Sequence, residues 1–346
     1  MKVTIKSVAN VVIDTLTKVG VNHEDANIIL NTIVFANRRG VNTHGVGRLP
    51  LYIRKIQAGH YDPANCIEIV SDSGAVALLD AHNCFGQVAG KKAIDICVAK
   101  ASEYGVAAVG VRNSNNFGTA GYFGDMAARQ GFAALIFANA APAIAPTGGN
   151  KTIFGTNPLC FAFPGTETLD PILLDMATTV AARGKIRLAA KNGEKIPLDW
   201  ATGPDGKPTD DPLMALQGTL LPIGGYKGYG LSMFVDLFAG LLCGSAFGGN
   251  VKNLSDTNND SGNGHLFILI DVHKFMSVRE LTERLEYLHK SVKACGSPGS
   301  IFMPGELEYN RLKDNIDTIQ LSEAQFDDVN GIACSLNSKY RLENAE

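Results

Sequence analysis

Between residues 67 and 177 the sequence alternates short, almost continuous apolar runs with segments of helical spacing, and this alternation restricts the chain to the α/β class. IEIVSDSGAVALLDA predicts a pair of strands, residues 87–104 a helix, and GVAAVGVRNS a buried strand. A helix is expected from near Thr119, followed by a strand at AALIFANA, a loop rich in Pro and Gly at 142–149, and a strand at LCFAFPG. The strand ILLDMA should then run directly into a helix, TTVAARGKIRLAAKNG.

Helices are expected ahead of this section. Val8, Val11, Val12, Leu16 and Val19 recur at helical spacing before Gly20, and Asn22 caps a second apolar run over 25–36. Val46, Leu49, Ile53 and Ile56 form a third stripe, ending at Gly59, that tolerates Pro50 only in its first turn. Beyond the α/β section, IPLDWATGPDGKPTDDP holds many turn signals and little periodicity, which predicts a long surface excursion. Residues 230–249 are the most apolar stretch, but Asp236 interrupts them and small residues abound, so a buried helix is expected and not a membrane span. HLFILIDV predicts a strand, 278–295 an amphipathic packing helix, and the last stretch is polar.

With 346 residues the chain exceeds the roughly 250–300 at which one core stops growing, so two packed units are expected. A formal charge of −3, without any long run of Lys or Arg, excludes a nucleic-acid footprint. Seven scattered cysteines without a C-x-x-C pair predict reduced core thiols in a cytoplasmic protein. The N-terminal MKVTIKSVANVVIDTL alternates apolar and polar residues, unlike a signal peptide.

No G-x-G-x-x-G follows a strand, which disfavours a standard dinucleotide-binding domain. Gly118-Thr119-Ala120-Gly121 is either a helix start whose bare N–H groups meet a phosphate or a simple tight turn. Asp175 with Thr178 and Thr179 would put a carboxylate beside free helix-start amides, suited to a ribose and a phosphate; the same residues could instead cap their own helix. Four glycines around Lys227 in GGYKGYG allow a ligand close to the backbone, the alternative being a solvated lysine on a flexible loop. His44, Arg48 and Tyr52 are spaced by four, so all three could point into one cleft, with Arg48 gripping a carboxylate and His44 moving a proton. A surface arginine and a structural histidine would give the same spacing. The seven histidines show no ligand spacing and no H-E-x-x-H, so no metal is expected.

Taken in order, Asn42-Thr43-His44-Gly45 with Arg48 and Tyr52, Arg112-Asn113-Ser114, Phe154-Gly155-Thr156-Asn157-Pro158, Asp175-Met176-Ala177-Thr178, Arg183-Gly184-Lys185, Tyr226-Lys227-Gly228-Tyr229-Gly230 and Met303-Pro304-Gly305-Glu306 resemble the malate/L-lactate dehydrogenase family. This family lacks a Rossmann fold and includes ureidoglycolate and sulfolactate dehydrogenases and 2,3-diketogulonate reductase. The resemblance implies an α/β protein of the sulfolactate dehydrogenase type, with a helical N-terminal part and an inserted cofactor domain. Residues 1–115 plus 262–346 would form the substrate and dimerisation domain, and 116–261 the NAD(P)-binding domain of a homodimer.

The resemblance further implies a small anionic 2-hydroxy or 2-oxo acid as substrate, malate or lactate in the first place, and NAD or NADP as cofactor. His44 would donate the proton, while Arg48 would hold the substrate carboxylate with Thr43 and Tyr52 beside it. Cofactor contacts would come from Asp175, Met176, Ala177, Thr178 and Thr179, from Lys227 and Gly228, and from Pro304, Gly305 and Glu306. Members commonly carry S-N-H-F-G where this chain has Ser114-Asn115-Asn116-Phe117-Gly118. Asn116 can polarise a carbonyl but cannot carry a proton at neutral pH, so proton transfer falls to His44. Reduction of a sugar acid, a ureidoglycolate-type or a cyclic imino acid substrate, or nucleotide binding without turnover, are the alternatives.

Overall fold

The computed structural model describes residues 1–345. A short strand β1 (Lys2–Thr4) leads into α1 (Ile5–Lys18), whose first turn is capped by Thr4. Asn22 accepts the Asp25 N–H and caps α2 (His23–Arg38), as its place before the apolar run predicts. Two 3₁₀ turns, Asn42–His44 and Val46–Arg48, precede α3 (Leu49–Gln57), in which Pro50 occupies the first turn, where no intrahelical bond is lost.

Next come β2 (Glu68–Ser73), β3 (Val76–Asp80), α4 (Gly86–Tyr104), β4 (Val106–Ser114), α5 (Ala120–Ala128), β5 (Phe132–Ala138), β6 (Leu159–Phe163) and β7 (Ile172–Met176), the expected α/β alternation. The chain continues through α6 (Arg183–Asn192), β8 (Ala201–Thr202), α7 (Pro212–Gln217), β9 (Thr219–Leu220) and α8 (Tyr226–Val235). It closes with β10 (Asn263–Asp271), α9 (Val278–Lys293), α10 (Glu306–Asp314), β11 (Thr318–Gln320) and α11 (Glu323–Ser335).

Seven strands form one sheet in the order β2-β3-β4-β10-β5-β6-β7. Only β3 and β4 run parallel, because only they are joined by a helical crossover, α4; every other neighbouring pair is antiparallel. This is not the all-parallel, doubly wound sheet of a Rossmann domain. The central strand β10 pairs with β4 on one side and β5 on the other, so this one strand of the 262–346 segment lies between strands from 1–115 and from 116–261. Small residues of α4 and α5, among them Ala93, Ala101 and Ala127, let these helices lie close on one sheet face around Phe123 and Phe267. A second core joins α1, α2, α3 and α11. Among the described residues no helix is long and apolar enough to cross a membrane.

One expectation needs correction, and two segments carry more structure than their pattern announces. The excursion over 196–212 is mostly loop, as expected, but its Ile196 and Ala201 join Ala215 and Leu220 from the following α7 and β9 in a small core against Ile186 of α6. Its apolar residues are too sparse to show a period and come together only through chain reversal. Residues 230–249 are not one buried helix: α8 ends at Val235, a π turn follows over Asp236–Leu241, and Gly244 breaks the chain at φ 71°. Val235, Ala239 and Cys243 pack on the sheet, whereas Leu231, Phe234, Leu241 and Leu242 are exposed. The polar last stretch carries α10, β11 and α11, and β11 pairs with β1 to tie the two ends of the chain together.

Candidate active site

A cleft of about 570 Å³ opens where the turns before α3, the loop after β4, the end of β7 and the start of α6 converge. Its size suits a small-molecule or cofactor site. Thr43, His44 and Arg48 line one wall. Their turn is held from behind by Asn37, which accepts the Val46 N–H at 2.8 Å and donates to Asn42 Oδ1 at 2.9 Å. A Cβ at Gly45 would fall 2.2 Å from Asn37 Oδ1, which is why the residue after His44 has no side chain. Arg48 Nε donates to Thr43 O at 2.5 Å, and Thr43 Oγ1 lies 3.1 Å from His44 Nδ1.

Burial, and after it the charge of Arg48, pushes the His44 pKa down to about 3. His44 is therefore neutral at physiological pH.

Asn116 lies on the same cleft. Its Oδ1 accepts the Gly118 N–H at 3.2 Å and the Tyr52 O–H at 3.1 Å, and Gln87 Nε2 donates to the Tyr52 hydroxyl at 3.0 Å. Because a backbone N–H can only donate, these bonds fix which end of the amide is oxygen and leave Nδ2 for a ligand. Tyr52 is fully buried and outside the cleft lining; burial raises its pKa to about 12 and keeps it neutral.

Asp175, Met176, Ala177 and Gly305 form another part of the lining. Asp175 Oδ2 accepts the Gly121 N–H at the start of α5 at 2.7 Å. The carboxylate is reachable by water yet surrounded by the cleft walls, and this crowding lifts its pKa to about 6 against the Gly121 bond and the Arg39 charge. Solvent access moderates the effect. Gly305 has φ 86°, and a Cβ there would meet Leu173 O at 2.7 Å.

The remaining predicted residues lie apart. Thr178 and Thr179 do not open a helix: the Thr178 and Val180 N–H groups bond Thr156 O and Leu221 O, and α6 begins only at Arg183. The expected free amides beside Asp175 are thus absorbed by neighbouring loops. Lys227 is exposed on the first turn of α8, and Gly228 is packed against Ile223; neither lines the cleft. Glu306 accepts from Lys293 and the Met303 N–H, and with Pro304 it borders a separate hollow of about 270 Å³.

Sequence reasoning missed Arg39, Arg187 and Lys252, and it gave Arg183 no role. All four line the cleft. Arg39 is buried with its guanidinium 4.2 Å from the Tyr309 ring centre, and its Nη1 has no partner; Thr119 Oγ1, also on the cleft wall, is likewise buried and unpartnered. Orphaned buried polar atoms on a cleft wall fit a ligand that supplies acceptors, as the phosphates of a dinucleotide would. The signal for Arg39 was its place just ahead of the Thr43-His44-Gly45 turn.

Fold and cleft define an α/β protein without the glycine fingerprint whose cleft gathers an arginine, an imidazole and orphaned buried polar atoms. The chain belongs to the malate/L-lactate dehydrogenase family, whose sequence pattern matches residues 3–330. It is 35% identical over 344 residues to the L-sulfolactate dehydrogenase of Methanothermobacter thermautotrophicus, covering 99% of both chains. Against the malate dehydrogenase of Pyrococcus abyssi the identity is 38% over 290 residues, 82% of this chain and 79% of the other. The crystal structure of sulfolactate dehydrogenase from Methanocaldococcus jannaschii superposes with a TM-score of 0.90 at 37% identity, covering 98% of each chain. The fold is therefore that of sulfolactate dehydrogenase, and the protein is a hydroxyacid dehydrogenase.

Proposed function

We propose that this dehydrogenase uses NAD or NADP to interconvert a small 2-hydroxy acid and its 2-oxo acid, malate and oxaloacetate or lactate and pyruvate. The observation that carries the reading is the meeting of His44, Arg48 and Asn116 on one cleft. Arg48 commits Nε to Thr43 O, leaving its two Nη groups for the substrate carboxylate. Asn116 Nδ2 polarises the carbonyl, and Tyr52 acts through Asn116 by holding its oxygen. Asp175 would hold a cofactor ribose hydroxyl, while Arg39 and Thr119 would hold phosphate. When bound, the reduced nicotinamide supplies the hydride for the carbonyl carbon.

His44 handles the proton. As the acid's negative charge enters, the imidazole takes a proton from solvent and passes it to the carbonyl oxygen; in the reverse direction the neutral ring is already the base that accepts the hydroxyl proton. The 116–261 segment is the cofactor-binding part, and the homodimer contact falls on the exposed apolar face of α8 and the π turn, which a second copy would cover. The unpaired state of all seven cysteines fits a reducing, cytoplasmic compartment.

Loss of NADH or NADPH absorbance with oxaloacetate, pyruvate, 2-oxo sugar acids and a cyclic imino acid tests the reading. Turnover of a 2-oxo acid is expected. Cofactor binding without turnover of any of them, unchanged by Asn116→His, would replace it with a nucleotide-binding protein.

A further inference from the structure

One buried histidine has no part in the reaction described above. His265 sits on the central strand β10, is buried, and does not line the cleft. Its Nε2 lies 3.2 Å from Asn115 O and 3.0 Å from Ser114 Oγ, and its ring stacks on Phe117 with centres 4.4 Å apart and planes 5° from parallel. These contacts fall on both sides of Asn116. A backbone carbonyl can only accept, so Nε2 carries the hydrogen. Burial pushes the His265 pKa down to about 3 against the Asn115 bond, which leaves the ring neutral at physiological pH. Nδ1 is buried without a partner, a cost that an apolar ring in the same place would not incur. What the imidazole supplies and a phenyl ring could not is one N–H aimed at Asn115 O.

The backbone needs such a hold at this point. Between the pairs Asn263–Ser114 and His265–Val111, β4 carries one residue more than β10, and in this bulge Asn113 adopts φ 49°. A bulge re-aims the residues that follow it, here the end of β4 just ahead of Asn116. Asp80 fixes the bulge itself, accepting from Arg112 Nε at 2.8 Å and from Asn113 Nδ2 at 2.9 Å, and Asn115 Nδ2 donates to Asn83 O at 2.8 Å. The Asn115 carbonyl is confined on its other side, since a Cβ at Gly86 would fall 2.2 Å from it. With that oxygen held by His265, the planar peptide unit between Asn115 and Asn116 is pinned, and so is the direction in which the Asn116 side chain leaves the backbone. That direction brings Asn116 Oδ1 to the Tyr52 hydroxyl.

Resting on the dehydrogenase reading above, we propose that His265 is a positioning residue for Asn116, its Nε2–H bond to Asn115 O keeping the Asn116 amide turned toward the substrate carbonyl. It acts from behind the cleft wall and moves no proton of its own.

The test compares wild type with His265→Phe, which keeps a ring on Phe117 but loses the N–H, and with His265→Gln, which keeps an N–H donor; each is also made together with Asn116→Ala. His265→Phe should lower kcat for the preferred 2-oxo acid about 10–100-fold, and His265→Gln should stay within about threefold of wild type. NADH affinity, measured by fluorescence, and the pH slope of kcat/KM should not change in either. In the Asn116→Ala background His265→Phe should cost no further kcat. In crystals, Asn116 Oδ1 should stay on the Tyr52 hydroxyl in His265→Gln and leave it in His265→Phe. An equal fold loss with and without Asn116, equal losses for the two variants, weakened NADH binding, or an unmoved Asn116 in His265→Phe would each overturn the role. If His265→Phe does not fold, His265→Leu takes its place; failure of both to fold would overturn the role too, because His265 would then be holding the core. If wild type turns over no acid, the dehydrogenase reading fails alone, and the crystals by themselves decide the positioning role.

Discussion

The two ends of the cleft meet the same physical condition and respond in opposite senses. At the Arg48 end, burial strips water from a histidine and drives its pKa down; at the Asp175 end, crowding by the walls drives a carboxylate pKa up. Neutral His44 stands among arginines without counter-ions, while Asp175 faces Glu308 with Arg39 near by. A cleft polarised in this way sorts the parts of its ligands. In the proposed function the anionic acid takes one end and the ribose hydroxyls the other, and His44 gains its proton together with the acid.

The contrast is broken most severely by removing its titrating member. His44→Ala should lower kcat about 10²–10⁴-fold, with NADH affinity measured by fluorescence little changed. Arg48→Lys keeps the charge but loses the paired bonds, so it should raise KM for the 2-oxo acid by roughly 10–100-fold and disturb kcat less. Comparable activity in either variant would remove its assigned role.

The pH dependence sharpens the same contrast. Free His44 must be protonated to act as an acid, and with its pKa held near 3, kcat/KM for reduction should fall about tenfold per pH unit from pH 5 to 8. The oxidation direction, which needs the neutral ring, should stay flat over that interval. The smallest effect is expected at the other end. Asp175 binds its proton more tightly folded than unfolded, so its contribution to stability is present below about pH 4 and is lost as pH rises through about 6. Asp175→Asn should therefore raise Tm slightly at pH 7–8 and leave it unchanged near pH 4, while weakening cofactor binding at both.

The same polarity explains which parts of the site were legible in the sequence. The Thr43-His44-Gly45 turn and Arg48 are local, and β3, β4 and β5 announce themselves as apolar runs of strand length. Arg187 and Lys252 reach the cleft from a short helix and an aperiodic loop, which only the folded chain brings together. Thr178 looks like a helix opener because the loops that take up its N–H and that of Val180, around Thr156 and Leu221, are distant in sequence. The 230–249 segment has the spacing of a buried helix, but spacing alone does not reveal that one face stays exposed. Strands of three residues, such as β11, carry too little pattern to be seen.

Calorimetric titration of the enzyme–NADH complex with an unreactive 2-oxo acid analogue, in buffers of different ionisation enthalpy near pH 7.5, counts the protons that enter with the ligand. Uptake of about one proton per site, abolished by His44→Ala, is the predicted result. Tight binding of the analogue with no proton uptake would contradict the coupling of His44 to the acid held by Arg48.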